Sequence, residues 1–178
     1  LFETVKRNDS NASHQVKNHH PEYLGAEHTS IMNSTFTLID AQTIIAKEYG
    51  YKNWNEVLKE QQLIDKNFEK AIDYIVSGNL KLLKKILTQH SHLKTAVSHY
   101  RHRATLLHYT ASNGVEIFRQ QVPENLHEIS KILLTFGIDK NAEMDVYGGK
   151  HNTLSLLKTS IHPVNAHVAD KAISILTA

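Results

Sequence analysis

A period of about 35 residues constrains this chain more than any single motif, because a self-similar sequence folds as stacked copies of one supersecondary unit. Tyr74-Ile-Val-Ser-Gly-Asn lies over Tyr109-Thr-Ala-Ser-Asn-Gly at an offset of 35, pairing Tyr74 with Tyr109 and Ser77 with Ser112. The segment from Val5 lies over the segment from Ile75 at an offset of 70, twice that period, setting Val16 on Ile86, Ala12 on Leu82, His20 on His90 and Tyr23 on Leu93. Thr37-Leu38, Thr105-Leu106 and Thr153-Leu154 add further register marks. About five related units follow.

Each unit reads as two short helices. In the third, Ala71, Ile72, Ile75 and Val76 form one apolar face, and Leu80, Leu83, Ile86 and Leu87 form another after a Gly78-Asn79 turn. The fourth is expected to place its first helix over Thr105 to Ser112 and its second over Leu126 to Phe136, with Ile129, Ile132, Leu133 and Phe136 at helical spacing. Thr105 is placed to cap the first, His108 to satisfy nearby backbone groups, and Asn113-Gly114 to end it. Asn125 with Glu128, and Asn53 with Glu56, read as capping pairs. Trp54, Val57 and Leu58 form an apolar stripe, with Trp54 expected in the core. Between its helices the fourth unit spends residues 115–125, VEIFRQQVPEN, where a tight turn would suffice. Such insertions emerge as surface loops, often on a binding face.

Composition narrows the partners. Twenty Lys and Arg against 18 Asp and Glu leave a net charge of +2, which makes no broad electrostatic case for DNA or RNA. Thirteen histidines can raise that charge on acidification. There is no cysteine, which removes disulfides, thiolate metal sites and cysteine nucleophiles together. No window approaches a membrane span and the N-terminus is not a signal peptide, so a cytoplasmic location and no membrane partner are expected. Sequons at Asn8, Asn11 and Asn33 are read as chance matches. The chain opens inside a helical pattern without Met and stops at AISILTA without a terminator, which suggests a piece of a longer protein.

Thr105-Leu-Leu-His108 resembles the Thr-Pro-Leu-His opening of the ankyrin repeat family, with Leu106 in place of Pro. Ala111 and Gly114 stand where that family closes its first helix, and Ile132 to Ala142 resembles its second helix and the Gly-Ala-Asp-Val-Asn-Ala run. Leu38-Ile-Asp40-Ala41-Gln42 and Ala46-Lys-Glu48-Tyr49-Gly50-Tyr51-Lys-Asn-Trp54 look like segments that precede the repeats in a divergent bacterial type. The resemblance implies an all-α, ankyrin-type solenoid of about five stacked antiparallel helix pairs with projecting inter-repeat loops. Residues 1–64 would form two degenerate helix pairs and 65–178 the repeats, at about 68–102, 103–145 and 146–178, the last one cut short. The family usually binds other proteins and rarely catalyses a reaction.

The chemical motifs sought are incomplete. His127-Glu128 starts like a zinc-protease helix, but Lys131 stands where the second His is needed. Gly148-Gly149-Lys150 lacks the first Gly and the Ser or Thr of a phosphate loop. His90 with His92, and His99 with His102, pair without a carboxylate at fixed spacing and are read as surface histidines. A non-catalytic scaffold without cofactor or metal is therefore expected, contacting an unidentified protein through Arg101, Arg103, Phe118, Arg119, Gln120 and Tyr147. The alternative is a small-molecule or metal pocket around the 115–125 insertion, built from His108, Glu116, Arg119, Tyr147 and His162.

Overall fold

The structure, a computed structural model, describes residues 1–7, 10–60 and 64–177. The chain is mostly helical with one small two-stranded sheet, and it divides into two compact units, Leu1–Leu63 and Ile64–Ala178. The Asn8 sequon lies outside the described residues.

The first unit holds α1 (Phe2–Lys6), α2 (Ser10–His19), α3 (His28–Met32), α4 (Leu38–Glu48) and α5 (Trp54–Glu60) among its described residues. Two helix pairs would need four helices, and five stand there. Apolar side chains at Val5, Ala12, Val16, Ile31, Phe36, Ala41 and Ile44 meet in one core. Thr37 caps α4, its Oγ1 accepting from the Asp40 N–H at 3.2 Å while Asp40 Oδ2 accepts from the Thr37 N–H at 2.7 Å. Asn53 Oδ1 accepts from the Glu56 N–H at 3.2 Å, as expected of a cap, but Glu56 reaches back to the Lys52 N–H. Trp54 is only half-buried and Leu58 is exposed, so the stripe on α5 does not seat the indole in a core.

The second unit begins with α6 (Lys66–Val76) and α7 (Leu80–Gln89). Their inner faces are Phe68, Ala71, Ile72 and Ile75 on one helix and Leu83, Ile86 and Leu87 on the other, as the 3.6-residue spacing predicts. Asp65 and Asn79 cap the two helices. Gly78 makes the turn at φ +71°, and a Cβ there would meet Asn125 Oδ1 at 2.5 Å and Pro123 Cβ at 2.9 Å. Gly78→Ala is therefore expected to lower stability by about 2 kcal/mol, combining left-handed strain with a displaced Asn125. A urea midpoint equal to that of the parent chain would show the turn to be unstrained.

The segment Leu106–Ala111 is a 3₁₀ helix, where an α-helix is expected. All six of its side chains are buried. It packs between α6 and α9 (Thr153–Thr159) and against α8 (Leu126–Thr135). The second helices, α7, α8 and α11 (Ala169–Thr177), contact one another in the same order. Asn125 does not cap α8 with its side chain; its Nδ2 donates to the Gly78 carbonyl at 3.0 Å, joining two helix pairs.

Between α8 and α9 the chain forms an antiparallel hairpin, β1 (Glu143–Val146) and β2 (Gly149–Asn152), in register Glu143 with Asn152 and Val146 with Gly149. Its two-residue loop puts both Tyr147 (φ +55°) and Gly148 (φ +74°) in the left-handed region, the form that matches strand twist. Met144 anchors the hairpin in the core. A short helix α10 (Ile161–Asn165) separates α9 from α11.

Candidate functional site

The insertion expected as a surface loop turns two charges inward. Residues Ile117–Arg119 form one 3₁₀ turn, leaving Glu116 and Arg119 buried at 1% and 7% exposure while Ile117 and Phe118 face out at 53% and 61%. Arg119 Nη2 donates to Glu69 Oε2 of α6 at 2.7 Å, and its Nη1 lies 3.9 Å from Glu116 Oε1. Tyr109 OH donates to the same Glu116 oxygen at 3.3 Å.

Two histidines stand beside these carboxylates. An isolated bridge between Val97 and Thr105 closes a loop that aims His99 and His102 inward. His102 Nδ1 accepts from the Ala104 N–H at 3.1 Å, so the neutral ring carries its proton on Nε2, which faces Glu116 Oε2 at 3.7 Å. His99 Nδ1 lies 3.8 Å from Glu69 Oε1. These are ion-pair separations, not hydrogen bonds. Among the described residues His102 Nε2, Glu116 Oε2, and Arg119 Nε and Nη1 are buried without a hydrogen-bond partner.

Electrostatics reflect that arrangement. Burial pushes the Glu116 carboxyl up, yet His102 and Arg119 outweigh it and hold the group below the usual carboxylate range. Burial, reinforced by the Glu116 charge, drives the Tyr109 phenol well above its ordinary value. For Arg119 burial acts downward, and the Glu69 and Glu116 carboxylates more than reverse it. The cluster thus holds one guanidinium between two carboxylates, with two imidazoles beside them.

His108 stands apart from it. Its Nδ1 accepts from the Thr105 N–H at 3.0 Å, and its Nε2 meets the His151 carbonyl at 3.3 Å, so the proton sits on Nε2. The side chain joins its own 3₁₀ turn to β2, in the capping role expected of it. Ser112 (φ +47°) and Gly114 (φ +73°) take the left-handed positions after the turn.

Of the residues expected to contact a partner, Arg101, Arg103, Phe118 and Tyr147 are exposed. Arg119 is not: it is spent inside the network, because Glu69, fifty residues earlier, needs a counter-charge. Gln120 is half-buried and bends back to donate to the Val115 carbonyl at 2.8 Å. The Tyr147 hydroxyl donates to Asn113 Oδ1, which holds the tip of the hairpin. Of the pocket alternative, only Glu116 and Arg119 come together; His108 is wedged under β2, and Tyr147 and His162 are on the surface. Among the described residues no group of three or more His, Cys, Asp or Glu side chains is arranged to hold a metal ion.

Comparison with family models, curated proteins and solved structures gave no match. Sequence reasoning missed Ile117 beside Phe118, and Ile161 and Val164 in α10, at 60% and 51% exposure. It also missed Glu69, His99 and His102 as one cluster. The only local signal was the pair of histidines in His99-Tyr-Arg-His102, which carries no hint of direction.

Proposed function

We propose that this chain is a non-catalytic interaction module of the ankyrin-repeat type that binds a protein partner. One observation carries the reading. In two successive units the first helix is followed by a short turn that exposes two apolar side chains, Ile117 and Phe118 in one, Ile161 and Val164 in the next. Ser160 Oγ donates to the Ser112 carbonyl at 3.2 Å, so the two turns start from one tied point. Paired apolar projections on a rigid stack suit the buried anchors that dominate protein interfaces. The inward network supports the same reading, since its charges hold the insertion in place and leave Phe118 as the outward group. Arg101, Arg103 and Tyr147 would supply polar and aromatic contacts elsewhere on the rim.

Among the described residues no helix is long and apolar enough to cross a membrane. A cytoplasmic location belongs to the same proposal, and a chain without cysteine is compatible with a reducing compartment.

The test is affinity for a partner identified by capture on the immobilised chain and mass spectrometry. Replacing Ile117 and Phe118 together with serine is expected to weaken that partner at least tenfold, about 1.4 kcal/mol or more. Unchanged affinity in that variant, and in alanine variants at Arg101, Arg103 and Tyr147, would overturn the proposal.

A further inference from the structure

We propose that the groove between α6 and α7 binds a phosphate monoester. The groove is open to solvent and has a volume of about 240 Å³. Its polar lining is Lys70 and Lys85, the carboxamides of Asn67 and Gln89, the Tyr74 hydroxyl and the His90 imidazole. Every one of these side chains can donate a hydrogen bond, and among the described residues no carboxylate lines the space.

The charge pattern around it is sorted by sign. On α6, Glu69 and Asp73 point one helical turn apart toward Arg119, at 2.7 Å and 3.7 Å, while Lys70 and Tyr74 point to the groove. Helix α7 carries Lys81, Lys84 and Lys85 and no acidic residue. Asp65, at the start of α6, is committed: it accepts from the Asn67 and Phe68 N–H groups and from His92 Nε2 at 2.7 Å. Among the described residues Lys70, Lys81, Lys84 and Lys85 have no ion-pair partner.

A face that serves only solubility needs polarity, and interspersed charges of both signs provide it. This face instead lines one depression with two lysines together with amide and hydroxyl donors. Two lysines balance the dianion of a phosphate monoester, whereas one carboxylate leaves a lysine uncompensated. The neutral donors then have oxygens to meet. A free small phosphate monoester and a phosphorylated side chain of a polypeptide present the same group to this set.

The test is a titration of the full chain, followed through the side-chain amide signals of Asn67 and Gln89 in ¹H–¹⁵N spectra. Methyl phosphate is expected to shift them saturably, with acetate at least tenfold weaker. Lys70→Gln combined with Lys85→Gln is expected to weaken methyl phosphate at least tenfold. Both lysines are exposed, so the variant keeps its fold, which thermal unfolding checks. A phosphoserine peptide that binds at least tenfold more tightly than methyl phosphate assigns the group to a polypeptide; comparable affinity assigns it to a small molecule. No saturable shift, an equal response to acetate, or an unchanged response in the double variant would overturn the proposal.

Discussion

Replacing Arg119 with methionine is expected to lower the unfolding free energy of the second unit by about 3–5 kcal/mol, the cost of stranding a buried charge. The reason is the place of Glu116. Its side chain is 0% exposed, with the Arg119 guanidinium 3.9 Å from it and the His102 ring at 3.7 Å. With the guanidinium gone the carboxylate either stays charged in a dry site or takes up a proton at a cost in free energy. Glu69 is less affected, because at 22% side-chain exposure water can replace part of what Arg119 supplied.

A second variant separates the stranded charge from the lost side chain. Arg119→Met combined with Glu116→Gln removes both charges at nearly constant volume and is expected to recover most of the loss. Guanidinium unfolding of the parent, the two single variants and the double variant closes the cycle. A loss below about 1 kcal/mol in Arg119→Met would mean that the pair behaves as a solvated surface bridge.

Acid is expected to weaken the fold through His108. Burial, with a smaller push from the His102 charge, lowers this imidazole from 6.5 to about 4, against the opposing effect of its bond to the His151 carbonyl. A depressed histidine takes up its proton more readily unfolded than folded. Its neutral form therefore contributes full stability above pH 6.5, and that contribution declines as the pH falls, until it is gone below about pH 4. A gap of that size corresponds to about 3 kcal/mol. His108→Gln keeps an acceptor for the Thr105 N–H and a donor for the His151 carbonyl but does not titrate. It should cost about 1–2 kcal/mol at pH 7.5 and flatten the decline between pH 6.5 and 4. Urea unfolding of both proteins across that range is the measurement. Parallel curves would remove His108 as the source of the acid response.

The helix pair α6 and α7 was legible residue by residue. Its apolar positions repeat every three or four residues, and Gly78 marks the turn, so the information is carried within each helix. The role of His108 was legible for a similar reason: a capping side chain three residues from Thr105 acts on its own turn. The loop 143–152 was harder, since Tyr147 is an unusual residue for a left-handed position and its hydroxyl is held by Asn113, 34 residues away.

Direction is what local pattern does not encode for charged and short polar side chains. Arg119 and Gln120 look like contact residues because an arginine or glutamine in a loop normally faces water. Here Glu69 draws the guanidinium in, and the Val115 carbonyl draws the amide back. Asn125 has the spacing of a cap, yet a carbonyl at Gly78 is the acceptor within reach once two helix pairs stack. Trp54 lies on an apolar stripe, but α5 buries it only in part.

By itself, then, the sequence determined the elements whose causes are local: the helical period of α6 and α7, the capping of one turn by His108, and the glycine that turns one helix into the next. Tertiary structure alone decided which charges are buried, which apolar side chains remain outside at Ile117, Phe118, Ile161 and Val164, and where a row of donors meets no carboxylate. The physical reason is range. Backbone hydrogen bonds and helical faces are satisfied within four residues, whereas the partner of a buried charge is chosen by whichever distant segment the packed core brings within about 4 Å.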